Sequence, residues 1–286
     1  MKLVSFLLDG SSPRYGAVSG DAVIDLSARL GDRFPTITDF IAAPPRAEVE
    51  HWLATGAGDH PLAGLTLLPP VPRPGKIICV GLNYEAHKAE AVRNPTDRPM
   101  LFARWPETLI GHAAPLVIPK ISDMLDYEAE LVAVIGAPTG RYLPADQALA
   151  KVFGYTCMNE GSVRDWQRHS SQVTAGKNFE GTGAVGPWLV TADEVGDPQT
   201  LDLALRLNGA VMQAANTRDM IWPIAETIAY ITDWLSLQPG DMIATGTPAG
   251  VGSRRTPPVF LQPGDLVEVE IDRIGTLRNR VVKEPA

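Results

Sequence analysis

The chain has 286 residues, with 25 Lys and Arg against 33 Asp and Glu, so its formal net charge is −8 at pH 7. This acidic balance disfavours a nucleic-acid partner, because phosphate binding needs a concentrated basic face. No apolar run approaches the ~20 residues of a membrane helix, and the apolar run Leu3–Leu8 is too short for a signal-peptide core, so we expect no membrane partner and a cytoplasmic location. The two cysteines lie in apolar runs, so we expect reduced thiols.

Short apolar runs separated by turn residues begin the chain. They predict antiparallel strands at Leu3–Leu8, Tyr15–Ser19 and Ala22–Leu26. Residues 36–56 have the pattern of an amphipathic helix, with Thr36 or Thr38 as its cap. The chain therefore starts with a small α+β region.

A proline-rich stretch follows this region. Leu68–Gly75 contains four prolines, which neither a helix nor a central strand accommodates. We interpret it as an extended linker. The sequence thus predicts a small N-terminal region at residues 1–70 and a larger domain at residues 75–286.

The larger domain is rich in predicted strands. They lie at Lys76–Gly81, Leu131–Ile135, Val152–Met158, Leu201–Leu207, Met242–Ala244 and Val267–Ile271. Helices are expected at Tyr84–Val92 and Met220–Leu237, and Asn208-Gly209 signals a hairpin turn. The continuous apolar run Leu131–Ile135 indicates a strand covered on both faces. The predicted fold class is α+β with mostly antiparallel or mixed sheets.

Three acidic residues adjoin two of these strands. Glu128 and Glu130 are two residues apart immediately before the predicted strand Leu131–Ile135, so in extended chain they share a face, and Glu160 follows the apolar run Val152–Met158. Paired buried carboxylates repel each other, and a divalent cation that prefers oxygen ligands, such as magnesium, manganese or calcium, relieves that cost. The alternative is that Glu128 and Glu130 face solvent on an edge strand.

Other polar residues have both a catalytic and an ordinary interpretation. His87 and Glu90 are three apart on a predicted helix, as in an oriented general base, or they lie on an exposed helix face. Lys177 would stabilise an oxyanion or would be solvent-exposed. The glycine-rich loop at 245–252 would bind a carboxylate or phosphate through backbone N–H groups, or would be a tight turn.

Together and in this order, these motifs resemble the fumarylacetoacetate hydrolase family. The resemblance covers about residues 75–282. Its matching stretches are Lys76–Tyr84, His87 to Glu90, Asp126–Gly136, Gly154–Gln167, Gly176–Phe179 and Gly240–Gly252. It implies a mixed β-sandwich roll as the catalytic domain, preceded by a small variable N-terminal α+β region, and a homodimer.

The resemblance also implies the site. One Mg²⁺ or Mn²⁺ per chain would be held by Glu128, Glu130 and Glu160; the family usually has Asp at the last of these positions, and many relatives have Lys at the position of Arg104. The catalytic residues implied are the water-activating pair His87 and Glu90, on a lid helix, and Lys177. The implied substrate-binding residues are Arg164, Gln167, Thr247 and Tyr84.

The activity implied is hydrolysis of a C–C bond in a 2,4-dioxo acid of the acylpyruvate or fumarylpyruvate type, through a metal-bound enolate. One alternative is decarboxylation or isomerisation of a 2-oxo (or 2-oxo-ene) dicarboxylic acid at the same site. Another is a non-catalytic binding protein with a weakened metal site. In each enzymatic case the partner is a small 2-oxo carboxylic acid.

Overall fold

A computed structural model describes residues 1–8, 10, 12–56, 58–91 and 97–285. The strands are β1 (Lys2–Leu7), β2 (Arg14–Ser19), β3 (Ala22–Asp25), β4 (His60–Pro61), β5 (Thr66–Leu68), β6 (Ile77–Gly81), β7 (Met100–Ala103), β8 (Leu109–Ile110), β9 (Leu116–Ile118), β10 (Leu125–Asp126), β11 (Ala129–Ile135), β12 (Val152–Glu160), β13 (Ser162–Val163), β14 (Gly183–Thr191), β15 (Asp202–Leu207), β16 (Ala210–Asn216), β17 (Met242–Ala244), β18 (Leu266–Ile271) and β19 (Gly275–Lys283). The α-helices are α1 (Leu26–Leu30), α2 (Ile37–Ala42), α3 (Arg46–Thr55), α4 (Glu85–Ala91), α5 (Ala145–Ala148), α6 (Arg164–Gln167), α7 (Thr174–Lys177), α8 (Ala192–Val195) and α9 (Ile224–Thr232). Short 3₁₀ turns lie at Leu62–Gly64, Pro106–Thr108, Leu149–Lys151, Thr217–Asp219 and Gly252–Arg254.

Two sheets form the body of the fold. The larger has the order β4-β3-β2-β1-β14-β12-β11-β17-β6-β7, with β5 beside β1 and β8 beside β14, and it is mixed because β17 is parallel to β6. The smaller has the order β16-β15-β18-β19-β9. Side chains of β11 and β12 share one buried core with β15 and β18. The predicted α+β class with packed mixed sheets is confirmed.

Strand β11 is buried on both faces, as its apolar sequence predicts. Leu131 and Ala133 belong to the core that faces the smaller sheet, whereas Val132 and Val134 belong to a second core, which also contains Phe40 of α2. A strand in this position holds its neighbours rigidly, so residues at its ends are placed with little freedom.

The N-terminal strands join the larger sheet, because β1 pairs antiparallel with β14 at Leu3 and Leu189. Residues 69–76 contain neither helix nor strand, in agreement with the expected extended linker. The division of the chain at this linker stays a prediction. No helix in the described part of the chain is long and apolar enough to span a membrane.

Two predicted helices have different limits in the structure. The helix expected over 36–56 is divided into α2 and α3, because Pro44 and Pro45 interrupt it; Thr36 caps α2 as expected. The helix expected over Met220–Leu237 is only α9, which begins after Pro223. The predicted helix Tyr84–Val92 corresponds to α4, and its last residue lies outside the described residues.

Candidate metal centre

Three carboxylates converge where β11 begins and β12 ends. Glu130 lies on β11, Glu160 is the last residue of β12, and Glu128 lies just before β11 instead of on it. The two strands are antiparallel, and the Glu160 amide donates to the Glu128 carbonyl oxygen at 2.8 Å. One oxygen from each carboxylate lies within 4.8 Å of the others, and all three residues are buried. The edge-strand alternative for Glu128 and Glu130 is therefore wrong.

Buried cations neutralise two of the three carboxylates. Lys177 Nζ, at the end of α7, contacts Glu128 Oε2 at 2.9 Å and also contacts Glu160 Oε2. Arg164 Nη1 lies 2.7 Å from Glu128 Oε1, and its Nε donates to Asp126. Glu130 has no basic partner among the described residues, and its Oε2 accepts only the amide N–H of Gly246, at 2.9 Å.

The pKa values of Glu128 and Glu130 follow from their partners, whereas burial raises the pKa of Glu160 in spite of Lys177 and Arg104. Burial acts to raise the pKa of Glu128, but Lys177 and Arg164 outweigh it and lower this pKa to about 2. Burial, together with repulsion from Glu160 and Glu128, raises the pKa of Glu130 well above its ordinary value. The cluster thus contains one acidic group without a compensating charge.

This donor set fits a divalent cation. It offers three carboxylates in one buried place, and hard oxygen donors are the ligands that Mg²⁺ and Mn²⁺ prefer. A cation would also supply the positive charge that Glu130 lacks. No Cys or His belongs to this group, which disfavours the donor sets typical of structural zinc.

His87 and Glu90 form a hydrogen-bonded pair on α4. His87 Nδ1 lies 3.4 Å from Glu90 Oε2, and the Gly250 amide donates to both carboxylate oxygens of Glu90, at 3.0 and 3.2 Å. Burial lowers the pKa of His87, and the charges of Glu128 and Glu90 oppose this shift only in part. The imidazole is therefore neutral at pH 7, which is the form that accepts a proton.

A cavity of about 150 Å³ connects His87 with the carboxylate cluster. The predicted site residues that line it are His87, Glu128, Glu130, Arg164, Gln167, Lys177 and Thr247. Glu90 and Glu160 reach it through hydrogen bonds to His87 and Lys177. The structure thus brings nine of the ten predicted residues to one place.

Tyr84 is the exception. It lines a separate cavity with Glu85, Asp219 and Ala249, and its buried hydroxyl has no hydrogen-bond partner among the described residues. Its substrate-binding role stays a prediction, and the geometry gives that role no support.

The glycine-rich loop at 245–252 binds carboxylates of the protein itself. Gly246 N–H donates to Glu130, Gly250 N–H to Glu90, and Gly252 N–H to Asp126 at 2.8 Å. These amides are directed at buried acids because an unpaired buried carboxylate is costly. The loop therefore holds the site together, while the hydroxyl of Thr247 lines the cavity and accepts a hydrogen bond from Gln213.

Sequence reasoning did not assign roles to several residues of the centre. Asp126 anchors Arg164 at 2.7 Å, and the alternation of Asp126 with Glu128 and Glu130 was a usable signal for it. Arg168 and Arg254 also line the cavity. No pattern in the sequence marks these two arginines as site residues, because only tertiary contacts bring them to the cavity.

Comparison with known proteins gives consistent matches over this region. A family model described as fumarylacetoacetate (FAA) hydrolase C-terminal matches residues 76–282. A mitochondrial oxaloacetate tautomerase of Bos taurus is 39% identical over 289 residues, which are 99% of this chain and 92% of that protein. A 2,4-didehydro-3-deoxy-L-rhamnonate hydrolase of Sphingomonas sp. is 40% identical over 254 residues, 86% of this chain and 88% of that protein.

A solved structure agrees over the whole chain. The maleylpyruvate hydrolase of Sphingobium sp. SYK-6, in complex with manganese(II) ion and pyruvate, has a TM-score of 0.83 and 34% identity and covers 100% of both chains. These relatives are hydrolases and a tautomerase. The match to the family model begins just before β6 and ends within β19, so it includes every residue of the centre.

Proposed function

The chain belongs to the fumarylacetoacetate hydrolase family, and we propose that it is a divalent-cation-dependent enzyme that hydrolyses the C3–C4 bond of a 2,4-dioxo acid. One observation carries this proposal: a neutral, oriented imidazole lines the same cavity as Glu128 and Glu130, two members of the buried cluster of three carboxylates. Hydrolysis of this kind needs a base for water and positive charge for the enolate that leaves. His87 would supply the base, and a cation held by the carboxylates would supply the positive charge.

Glu128, Glu130 and Glu160 would hold the cation, which when bound supplies Lewis-acid stabilisation of negative charge on substrate oxygens. Mg²⁺ and Mn²⁺ are both candidates, and the manganese of the Sphingobium relative favours Mn²⁺ for the first experiments. Lys177 adds a fixed positive charge, since its ammonium group lies between Glu128 and Glu160 and lines the cavity.

His87 would take a proton from water through Nε2. Glu90 holds the opposite ring nitrogen, Nδ1, and thereby fixes the tautomer and the direction of the ring. The activated water would add to the C4 carbonyl, and cleavage of C3–C4 would release a carboxylic acid and the enolate of a 2-oxo acid. The proton held by His87 would then pass to C3 of the enolate, which gives the 2-oxo acid and restores the neutral imidazole. The oxygen of the water ends in the carboxylic acid product.

Substrate oxygens would be bound by residues of α6 and of the glycine-rich loop. Arg164 Nη2 is buried and has no hydrogen-bond partner among the described residues, while Nε and Nη1 are held by Asp126, Glu128 and Gln167. A fixed donor of this kind suits a carboxylate of the substrate. Thr247 and Gln167 complete the polar lining on that side.

A second candidate is keto–enol tautomerisation of a 2-oxo dicarboxylic acid such as oxaloacetate. The 39% identity to the Bos taurus tautomerase, over nearly the whole of both chains, favours it. The same base would then remove a proton from C3 of the substrate instead of from water. The two candidates share the enolate and differ in what His87 deprotonates.

Product analysis separates these reactions. We would incubate the protein with a panel of 2,4-dioxo acids and with oxaloacetate, with Mn²⁺ or Mg²⁺, in H₂¹⁸O. Hydrolysis gives a 2-oxo acid and a carboxylic acid containing ¹⁸O, tautomerisation speeds the keto–enol exchange of oxaloacetate without cleavage, and decarboxylation releases CO₂. Failure of every substrate, together with no Mn²⁺ binding, would contradict an enzymatic role and favour a binding protein.

Two further proposals accompany the activity. We expect a homodimer, and sedimentation equilibrium would test this by measuring the mass of the protein in solution. A cytoplasmic location also stays a proposal, and the mitochondrial location in the name of the Bos taurus relative makes it one to test by fractionation.

A further inference from the structure

Arg104 is a buried cation beside the carboxylate cluster. Its side chain is fully buried, and Nη1 donates to Glu160 Oε1 at 2.7 Å and to the Gly161 carbonyl oxygen at 3.1 Å. Lys177 contacts the other oxygen, Oε2, of the same carboxylate. The two oxygens of Glu160 therefore have different partners, and only Oε2 is on the side that Lys177 shares with Glu128.

Two threonines fix the orientation of this guanidinium. Arg104 Nε donates to Thr108 Oγ1 at 3.0 Å, and Nη2 donates to Thr182 Oγ1 at 2.6 Å. Each hydroxyl in turn donates to a backbone carbonyl oxygen, that of Trp105 or Phe179, at 2.7 Å. Both threonines are thus held by the backbone and cannot follow Arg104 if it rotates.

The backbone leaves a slot for the flat guanidinium group. Gly183 lies directly opposite Glu160 in the β12–β14 pair, and a Cβ atom on Gly183 would lie 2.6 Å from Arg104 Nε. A lysine carries its donors on one nitrogen, so it cannot reach Glu160, Thr108 and Thr182 at the same time. The surroundings therefore select an arginine and hold it in one orientation.

We propose that Arg104 is a positioning residue that makes Glu160 a one-oxygen ligand of the divalent cation. Its hydrogen bond occupies Oε1 and turns Oε2 toward Glu128 and Glu130. The charge of Arg104 compensates the buried charge of Glu160, but a positive charge beside the site repels a cation and so cannot itself favour cation binding. The benefit must come from orientation, and this inference rests on the cation centre proposed above.

The test measures both the Mn²⁺ affinity and the thermal stability of each variant, so that a loss of orientation can be distinguished from a general loss of stability. Mn²⁺ is titrated calorimetrically into the unaltered protein, Arg104→Lys and Thr182→Val, and thermal unfolding of each is recorded with a chelator. Substituting a residue that orients a metal ligand typically lowers metal affinity 10- to 100-fold, so we expect both variants to bind Mn²⁺ more weakly by about that factor. Arg104→Lys keeps the charge, and Thr182→Val removes one hydroxyl without changing Arg104 or a ligand.

Thr232→Val is the matched control. Thr232 is also buried, and its Oγ1 also accepts one hydrogen bond, from the Leu143 amide at 3.0 Å, and donates one to a carbonyl oxygen, that of Ala229 at 2.8 Å. It does not line the cavity with His87. We expect the two threonine variants to lose similar melting temperature, and only Thr182→Val to lose Mn²⁺ affinity.

The outcomes are distinct. Unchanged Mn²⁺ affinity in Arg104→Lys and Thr182→Val, or an equal loss in Thr182→Val and Thr232→Val, would overturn the positioning role and leave the cation centre intact. No Mn²⁺ binding by the unaltered protein would overturn the centre and the role together. If Arg104→Lys does not fold, the comparison of Thr182→Val with Thr232→Val decides.

Discussion

The substitution Glu130→Gln should stabilise the metal-free protein while it abolishes metal binding. Glu130 is the member of the cluster without a basic partner among the described residues, and one of its oxygens lies within 4.8 Å of oxygens of Glu128 and Glu160. Like charges at about that distance repel by about 3 kcal/mol at an effective dielectric constant of about 20. Protonation avoids this repulsion, but protonating a carboxyl with an ordinary pKa of 4.5 at pH 7 also costs about 3 kcal/mol. The glutamine keeps an oxygen for the Gly246 amide and has neither cost.

The pH dependence has a definite sign. Because the folded-state pKa of Glu130 is raised above its unfolded value, the penalty is absent below about pH 4.5 and grows as the pH rises toward the folded-state pKa. With a chelator present at pH 7, we therefore expect Glu130→Gln to unfold at a higher urea concentration than the unaltered protein. Its free energy of unfolding should be higher by up to about 3 kcal/mol, and this difference should shrink toward pH 5. Added Mn²⁺ should stabilise only the unaltered protein.

Asp126→Asn is the control for this experiment. Asp126 is also a buried carboxylate of the site, but it accepts hydrogen bonds from Arg164 and from the amides of Gly252 and Ser253. Asparagine removes the charge that pairs with Arg164 Nε, so we expect destabilisation, of about 3 kcal/mol for a broken buried pair. A Glu130→Gln protein that is no more stable than the unaltered one at pH 7, or that Mn²⁺ still stabilises, would refute the reasoning.

Three more outcomes follow from the site. His87→Gln should lower kcat about 10²- to 10⁴-fold with unchanged calorimetric Mn²⁺ affinity, and an unchanged kcat would require another base. Glu90→Gln should move the decrease of kcat/KM at acidic pH to lower pH, because Glu90 raises the pKa of His87 against the lowering caused by burial. A move of that decrease to higher pH would contradict this effect of Glu90. A chelator should abolish turnover and lower the melting temperature, with both restored by Mn²⁺, and full turnover without metal would exclude a cation-dependent reaction.

Part of the site could be predicted from the sequence because its signals are local. Glu128 and Glu130 adjoin a strand whose continuous apolar residues already indicate burial, and buried paired carboxylates require a positive partner. His87 and Glu90 are neighbours because of helical spacing alone. Glu160 joins them only through the pairing of β11 with β12, so its assignment depended on the resemblance to a family and on the order of the motifs.

The rest depends on contacts that sequence spacing does not report. The sequence left two interpretations of the glycine-rich loop, a carboxylate or phosphate site and a tight turn, whereas three of its amides bind Glu130, Glu90 and Asp126 of the protein itself. Their direction is set by the demand of buried acids for donors, which appears only when the chain is folded. The same is true of Arg104, which is 56 residues from Glu160 in sequence and in contact with it in the structure.

The position of a bound ion tests the proposed cation centre most directly. A crystal grown with Mn²⁺ and measured at the manganese absorption edge should contain one anomalous peak per chain, between the carboxylates of Glu128, Glu130 and Glu160, with Glu160 contacting it through Oε2 alone. A peak elsewhere, or no peak while Lys177 still joins Glu128 to Glu160, would contradict the cation centre.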